Sequence, residues 1–140
     1  MREASADLAP LSSSASRARS LVRELLADVG DEETCENVQL VVSELVTNAV
    51  LYAVSPIRLV LRLDANVIRV EVHDGSRRLP QVKHNALDAV TGRGLHLVGH
   101  YADHWGADSE TSGKSVWCEV RTDAGGRATD MERARAPARF

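Results

Sequence analysis

The sequence has little of the features that mark several specialised protein classes. Its 140 residues include two cysteines, Cys35 and Cys118, far apart and without a C-x-x-C spacing. We interpret them as buried apolar residues in a reducing compartment and not as a metal site. No apolar run approaches the ~20 residues that a membrane-spanning helix needs. The N-terminus also lacks the apolar segment of a signal peptide, so the sequence favours a cytoplasmic protein.

The sequence also has no basic excess. The formal net charge is -3, with 44% apolar and 26% charged residues. Proteins that bind nucleic acid or anionic membranes need a concentrated positive surface, so we expect neither role here. The length suits one domain that buries its own core. We expect this domain at residues 14–122, after a flexible N-terminal segment at 1–13 and before a disordered tail at 123–140.

Two stretches have the apolar spacing of amphipathic helices, residues 14–29 and 31–53. Within the second, Glu44 and Asn48 are four residues apart and therefore share one helix face. Two polar side chains on a mostly apolar helix are costly to bury without a purpose. The ordinary alternative is a helix edge with two solvated residues.

After Pro56 the apolar period changes from about four to two, which is typical of strands. Residues 57–63 and 68–73 predict a hairpin with one apolar and one polar face. Asp74 continues the apolar set of the second strand, so it is predicted to point toward the core. Alternatively the strand has ended there, and Asp74 belongs to a turn. Residues 105–110 and 116–120 predict a last hairpin.

A long polar loop, residues 75–93, precedes a glycine-rich turn. Thr91-Gly92-Arg93-Gly94 leads into a predicted helix from Leu95 to about Trp105. Such a turn presents free backbone N–H groups to an anion. A plain junction between loop and helix is the commoner explanation for a single G-x-G.

Taken in order, these motifs resemble the GHKL ATP-binding fold over about residues 14–121. Within it the chain is most similar to the anti-sigma-factor serine/threonine kinases, the small ATP-binding regulators of actinobacteria. The matching stretches are residues 43–50, 70–74, 92–95 and 113–117. The resemblance implies an α+β two-layer sandwich with a mostly antiparallel or mixed sheet, covered on one face by about three helices.

The resemblance also implies roles for individual residues, with ATP and Mg²⁺ as cofactors. Glu44 matches the general base, Asn48 the Mg²⁺ ligand and Asp74 the residue that binds the adenine amino group. Residues 75–91 match the lid over the nucleotide. The phosphate-binding turn matches Gly92, Arg93, Gly94 and the amide of Leu95. Lys114 or Ser115 matches a threonine that supports Asp74.

Two departures from the family pattern leave the function open. The family's D-x-G-x-G box here reads Asp74-Gly75-Ser76-Arg77-Arg78, and Lys114 replaces the usual threonine. The leading hypothesis is an ATP-dependent protein serine/threonine kinase acting as an anti-sigma factor, which sequesters a sigma factor and phosphorylates an anti-anti-sigma partner. The alternative is a non-catalytic, nucleotide-sensing or purely protein-binding regulator. The oligomeric state stays open, with a homodimer among the alternatives.

Overall fold

The computed structural model describes residues 1–52, 56–75, 97–111 and 113–122. These residues form a five-stranded sheet and two long helices, and residues 97–101 are helical as well. The elements in chain order are β1 (Arg2–Leu8), α1 (Ser13–Leu25), α2 (Glu32–Tyr52), β2 (Ile57–Asp64), β3 (Val67–Asp74), β4 (His104–Glu110) and β5 (Gly113–Arg121).

The strands lie in the order β1-β2-β3-β5-β4, and every neighbouring pair is antiparallel. The last described strand, β5, therefore lies between β3 and β4. Helices α1 and α2 pack against each other and on the apolar face of the sheet. This arrangement confirms the predicted α+β fold with a helix-covered antiparallel sheet.

Helix α2 begins where the sequence predicts, because Asp31 caps it. The Thr34 backbone N–H donates to Asp31 Oδ1 at 2.7 Å, and Glu32 and Glu33 lie in the first turn, where the helix dipole favours negative charge. Helix α1 is shorter than the predicted 14–29 and ends at Leu25. The following turn closes at Gly30, whose φ of +70° is in the left-handed region that suits glycine.

The predicted β2–β3 hairpin is confirmed, and its inner face belongs to the core. Alternate side chains of β3 are buried, and the series ends at Asp74. The intervening residues face the other side of the sheet. The interpretation of Asp74 as a turn residue is therefore wrong, because Asp74 pairs with Lys114 in the β3–β5 ladder.

The expectation of a flexible segment at residues 1–13 needs correction. Residues 2–8 form the edge strand β1, which pairs antiparallel with β2 from Arg2 opposite Leu63 to Leu8 opposite Ile57. Leu8 is buried in the core. Helix α1 begins at Ser13, and the Ser14 hydroxyl donates to the Ala9 carbonyl at 2.6 Å. The N-terminal residues are therefore tied to both layers of the fold.

The predicted helix that ends at Trp105 also needs correction. The described helical residues end at Tyr101, and Trp105 lies in β4, where its side chain is buried. The start of that helix, most of the predicted lid and the tail at 123–140 lie outside the described residues. Within the described part of the chain, no helix is long and apolar enough to cross a membrane.

Candidate functional site

The first part of the site is the polar pair on α2. Asn48 is buried with 8% of its surface exposed, whereas Glu44, one turn earlier, is half-buried. Thr47, between them in sequence, is exposed. The pair therefore stands at the border of the apolar face of α2, with Asn48 on the core side. This placement contradicts the alternative of a helix edge with two fully solvated residues.

Asn48 holds an unusual atom. Its Oδ1 is buried, and it has no hydrogen-bond partner among the described residues. A buried carbonyl oxygen without a partner costs about 1–3 kcal/mol, so proteins rarely retain one without a use. An amide oxygen is a ligand type that Mg²⁺ accepts, together with phosphate oxygens and waters. Asn48 therefore fits the predicted role of a Mg²⁺ ligand.

This fit does not rely on a dedicated metal cage. Within the described ranges, no three His, Cys, Asp or Glu side chains come together as a metal site. Mg²⁺ in nucleotide sites is commonly held by one or two protein oxygens, with phosphates and waters completing its shell. One amide oxygen on α2 is thus consistent with such a site.

The second part of the site is a buried ion pair between β3 and β5. Lys114 Nζ donates to both carboxylate oxygens of Asp74, at 3.2 Å to Oδ1 and 2.9 Å to Oδ2. The two side chains are 3% and 1% exposed. The residue predicted to bind the base is therefore engaged by an internal cation.

The backbone fixes the two strands at this point. Asp74 and Lys114 are opposite each other at the end of the ladder, and Gly113 precedes Lys114 with a φ of +152°. A Cβ atom at Gly113 would overlap the Asp74 carbonyl oxygen and crowd the Cα of Gly75. Only glycine permits this approach, so the glycine sets the position of Lys114.

The two alternatives for the threonine position, Lys114 and Ser115, lie on opposite faces of the sheet. Ser115 is the cross-strand partner of His73, whose side chain faces away from the helices. Since cross-strand partners share a face, Ser115 cannot reach the Asp74 carboxylate from its position. Lys114 is the residue beside Asp74.

The remaining predicted residues cannot be placed. The phosphate-binding turn, with Gly92, Arg93, Gly94 and Leu95, lies outside the described residues, as do Ser76 and Arg78 of the altered glycine box. The structure therefore brings Asn48, Asp74 and Lys114 to the interface between the helices and the sheet. Glu44 lies at the border of that interface.

The outer face of the sheet carries a separate charged network. Glu71 accepts from Arg62 at 3.0 Å and from Arg69 at 2.8 Å, and the Arg69 guanidinium lies 4.4 Å from the ring centroid of Trp117. Burial alone would raise the pKa of Glu71. Hydrogen bonds from Arg69 and His73 and the nearby arginine charges outweigh it and lower the pKa below its ordinary value.

A groove of about 680 Å³ opens beside this network, lined by Pro56, Arg58, Val60, Arg62, Glu71, His73, Asp74, Gly75 and Glu110. It lies on the face away from α2. The acidic and basic side chains along it pair with one another, for example His73 with Glu71 and Glu110 at 3.0 and 2.9 Å. Its charges are therefore largely satisfied within the chain.

The sequence did not predict the Asp74–Lys114 ion pair. The sequence feature that could have found it is the two-residue alternation in the two strands, which tells which face of the sheet each residue occupies. Asp74 extends the inward set of β3, and Lys114 precedes the inward residues Val116, Cys118 and Val120 at the same spacing. Opposite charges at inward positions near the ends of two neighbouring strands indicate a pair, once the strands are known to be neighbours.

Comparisons with known proteins agree with this fold. The family model described as "Histidine kinase-like ATPase domain" matches residues 8–120, well over half of the chain. No curated protein matches this chain. One similar solved structure is the histidine kinase domain of the blue-light activated histidine kinase from Erythrobacter litoralis EL346, with a TM-score of 0.50 and 19% identity. At that identity the likeness concerns the fold.

The match to that structure covers 91% of this chain and 66% of the solved one, so this chain spans about two thirds of its length. The family match includes both long helices, β2 to β4 and β5 as far as residue 120, with Glu44, Asn48, Asp74 and Lys114 inside it. The chain therefore belongs to the histidine kinase-like ATPase domain family.

Proposed function

We propose that this chain is a Mg-ATP-dependent protein serine/threonine kinase that acts as an anti-sigma factor. In this role it binds a sigma factor and phosphorylates a serine on an anti-anti-sigma partner. The observation that supports the nucleotide chemistry is the buried Oδ1 of Asn48, which has no hydrogen-bond partner in the described part of the chain and lies one helical turn from Glu44. The regulatory role rests on the resemblance of the sequence to small kinases of that kind.

Asn48 and Glu44 divide the work of phosphoryl transfer. Mg²⁺, when bound, neutralises charge on the phosphates, and Asn48 supplies one oxygen that positions it. Glu44 is half-buried, so it can face an entering hydroxyl while remaining fixed by the helix. Its carboxylate takes the proton of the attacking serine hydroxyl, and the γ-phosphoryl group passes to that oxygen as its bond to the β-phosphate breaks and ADP leaves. The helix spacing holds the two roles one turn apart.

Substitution of Asn48 by leucine separates binding from folding. It removes a buried oxygen without a described partner, so the stability should stay equal or rise by up to about 1–3 kcal/mol. Calorimetry with Mg-ATP should show a loss of binding at the same time. The matched control is Thr47→Ala on the exposed side of α2, which should leave both quantities unchanged.

Substitution of Glu44 by glutamine tests the transfer step. The variant should bind Mg-ATP like the wild type and lose transfer of labelled phosphate to a serine-bearing antagonist by about 10²–10⁴-fold. Glu36→Gln removes the same charge from an exposed position of α2 and should transfer normally. Equal transfer by the wild type and Glu44→Gln would exclude Glu44 as the base.

A second candidate function is favoured by the Asp74–Lys114 ion pair. A chain in which the base-binding carboxylate is held internally would act through protein contacts alone, as a regulator without catalysis. This candidate predicts that sigma-factor binding, measured by calorimetry with purified sigma factors, is the same with and without Mg-ATP. A change in sigma-factor affinity on addition of Mg-ATP that is absent in Asn48→Leu would exclude it.

A further inference from the structure

We propose that Lys114 is a specificity-determining residue of the nucleotide site. Its ammonium group competes with the amino group of the base for the Asp74 carboxylate. As a result, the chain binds adenine nucleotides more weakly, and with less preference over guanine nucleotides, than it would with a neutral hydroxyl at this position. The inference rests on the proposed function, because it assumes that Asp74 faces the base.

The geometry makes this competition direct. Nζ contacts both oxygens of Asp74, at 2.9 and 3.2 Å, and not just one edge of the carboxylate. Both side chains are at most 3% exposed, so solvent screens their attraction weakly. A base that approaches Asp74 therefore meets a carboxylate already neutralised by an adjacent charge.

The strand backbone holds the Cα of Lys114 beside Asp74. Gly113 lies so close to the Asp74 carbonyl that a Cβ atom would overlap it, and the ladder places Lys114 directly opposite Asp74. Only rotations of the lysine side chain can move the ammonium. The apolar partners Val72 and Val116 follow on the same face and offer it no alternative charge.

The chemistry of the base edges sets the direction of the effect. Adenine presents a neutral amino group where guanine presents a carbonyl. An ammonium group attracts the Asp74 carboxylate through its full charge in addition to its hydrogen bonds, whereas a neutral amine offers a hydrogen bond alone, so the base cannot simply displace Lys114 from Asp74. Lys114 also donates readily to a carbonyl. It thereby weakens the rejection of guanine that an unpaired carboxylate would provide.

Stability gives no sufficient reason for the pair. A buried ion pair is on average no more stabilising than apolar residues of similar size, because the charges lose their hydration. The other ion pairs among the described residues are all partly exposed, whether on the outer face, as with Arg62 and Glu71, or on the helix side, as with Arg2 and Asp28. The single fully buried pair stands at the proposed base-binding position.

The test is the affinity of the full chain for Mg-ATP and Mg-GTP, measured by calorimetry for the wild type and for Lys114→Thr. We expect Lys114→Thr to bind Mg-ATP between about fivefold and a hundredfold more tightly and to raise the ratio of ATP to GTP affinity by a similar factor. Arg58→Thr removes the same charge from the outer face and should produce neither change. Lys114→Gln keeps a neutral donor and serves if the threonine variant does not fold.

The outcomes separate the inference from the proposed function. If the wild type binds Mg-ATP through Asn48 and folded Lys114→Thr binds no more tightly, the inference fails and the kinase proposal stands. If only Lys114→Thr binds Mg-ATP, the inference is supported and the kinase proposal fails for the natural chain. If neither protein binds either nucleotide, both are overturned.

Discussion

The buried pair of Asp74 and Lys114 makes a prediction about stability that does not depend on any ligand. Replacing Lys114 by methionine keeps the length of the side chain and removes its charge, which leaves Asp74 buried without its cation. Both side chains are at most 3% exposed. Removing one partner of such a pair typically costs about 3–5 kcal/mol. This is a large part of the 5–15 kcal/mol by which domains of this size are stable.

The double variant should recover most of that loss. Asp74→Leu with Lys114→Met replaces both charges by apolar groups of similar volume, and such replacements are often neutral or stabilising. A double-mutant cycle should therefore give a coupling free energy of at least about 2–3 kcal/mol between the two positions. The control is Arg58→Met. Its pair with Asp7 is more than half exposed on both sides, so the loss should stay below about 1 kcal/mol.

The assay is urea unfolding followed by tryptophan emission. Trp105 is buried in β4, which pairs with β5, so its emission reports the region that contains Lys114. When the protein is unfolded by heat and followed by the same emission, the single variant should have a melting temperature lower by roughly 10–15 °C, as expected for a chain of this length. If Lys114→Met is no less stable than Arg58→Met, the Asp74–Lys114 ion pair does not form in solution. The argument that Lys114 competes with the base for the Asp74 carboxylate then fails.

Three further predictions concern single positions. Gly113→Ala should destabilise the domain by more than about 3 kcal/mol in urea unfolding, because the new Cβ has no room. In the control Gly99→Ala, the new Cβ meets one side-chain atom at 3.5 Å, so the change should be neutral or stabilising by up to about 1 kcal/mol. Equal effects of the two substitutions would contradict the close approach at Gly113. Because the pKa of Glu71 is lowered from 4.5, its contribution to stability is present above about pH 4.5 and lost as the pH falls through the folded-state pKa. Glu71→Gln should therefore flatten the acid side of the stability curve, and an unchanged curve would refute it. Burial raises the pKa of the Cys118 thiol, so a thiol reagent should modify Cys35 alone in the folded protein and both cysteines in urea. Rapid modification of both cysteines in the folded protein would contradict the burial of Cys118.

The sequence predicted the helices and the hairpin best, because their signals are local. The Asp31 cap, the apolar spacing of α2 and the two-residue alternation of β2 and β3 lie within a few residues of one another. The same locality gave the inward orientation of Asp74, which requires only the parity of one strand. The pair Glu44 and Asn48 followed from the helix period alone.

Strand β1 was missed for the opposite reason. Its inward residues are Ala4, Ala6 and Leu8, and alanine has a low preference for strands. The strand forms because β2 offers an unpaired edge, and because Arg2 is hydrogen-bonded to Asp28 after α1 and Arg62 to Glu3. These partners are far away in sequence, so no local sequence pattern predicts the contacts.

The ion pair required knowledge of the sheet order. Asp74 and Lys114 are separated by a long stretch of chain, and β5 lies next to β3 although β4 precedes it in sequence. Local periodicity gives the face of each residue but not which strands are neighbours. Local patterns therefore predicted only that Asp74 would need a partner, and it was the family resemblance that connected Lys114 or Ser115 with Asp74, without choosing between them or predicting an ion pair.

The two ends of the proposed site depend on different parts of the fold, and this has a kinetic consequence. Asn48 and Glu44 belong to one helix, whereas Asp74 and Lys114 depend on the register of two strands fixed by Gly113. The base keeps its contacts while the γ-phosphoryl group moves, so a change at Lys114 affects the ground state and the transition state equally. Uniform binding changes KM and leaves kcat unaltered.

Lys114→Thr should therefore lower the KM for ATP in phosphate transfer by the factor seen in binding, with kcat within about twofold of the wild type. Asn48→Asp, by contrast, should change kcat in addition to KM. It keeps an oxygen ligand but adds a negative charge beside the phosphates. Initial rates over a range of ATP concentrations give both constants. A Lys114→Thr variant with altered kcat and unchanged KM would mean that Lys114 acts on the transfer step, which a residue at the base end cannot do.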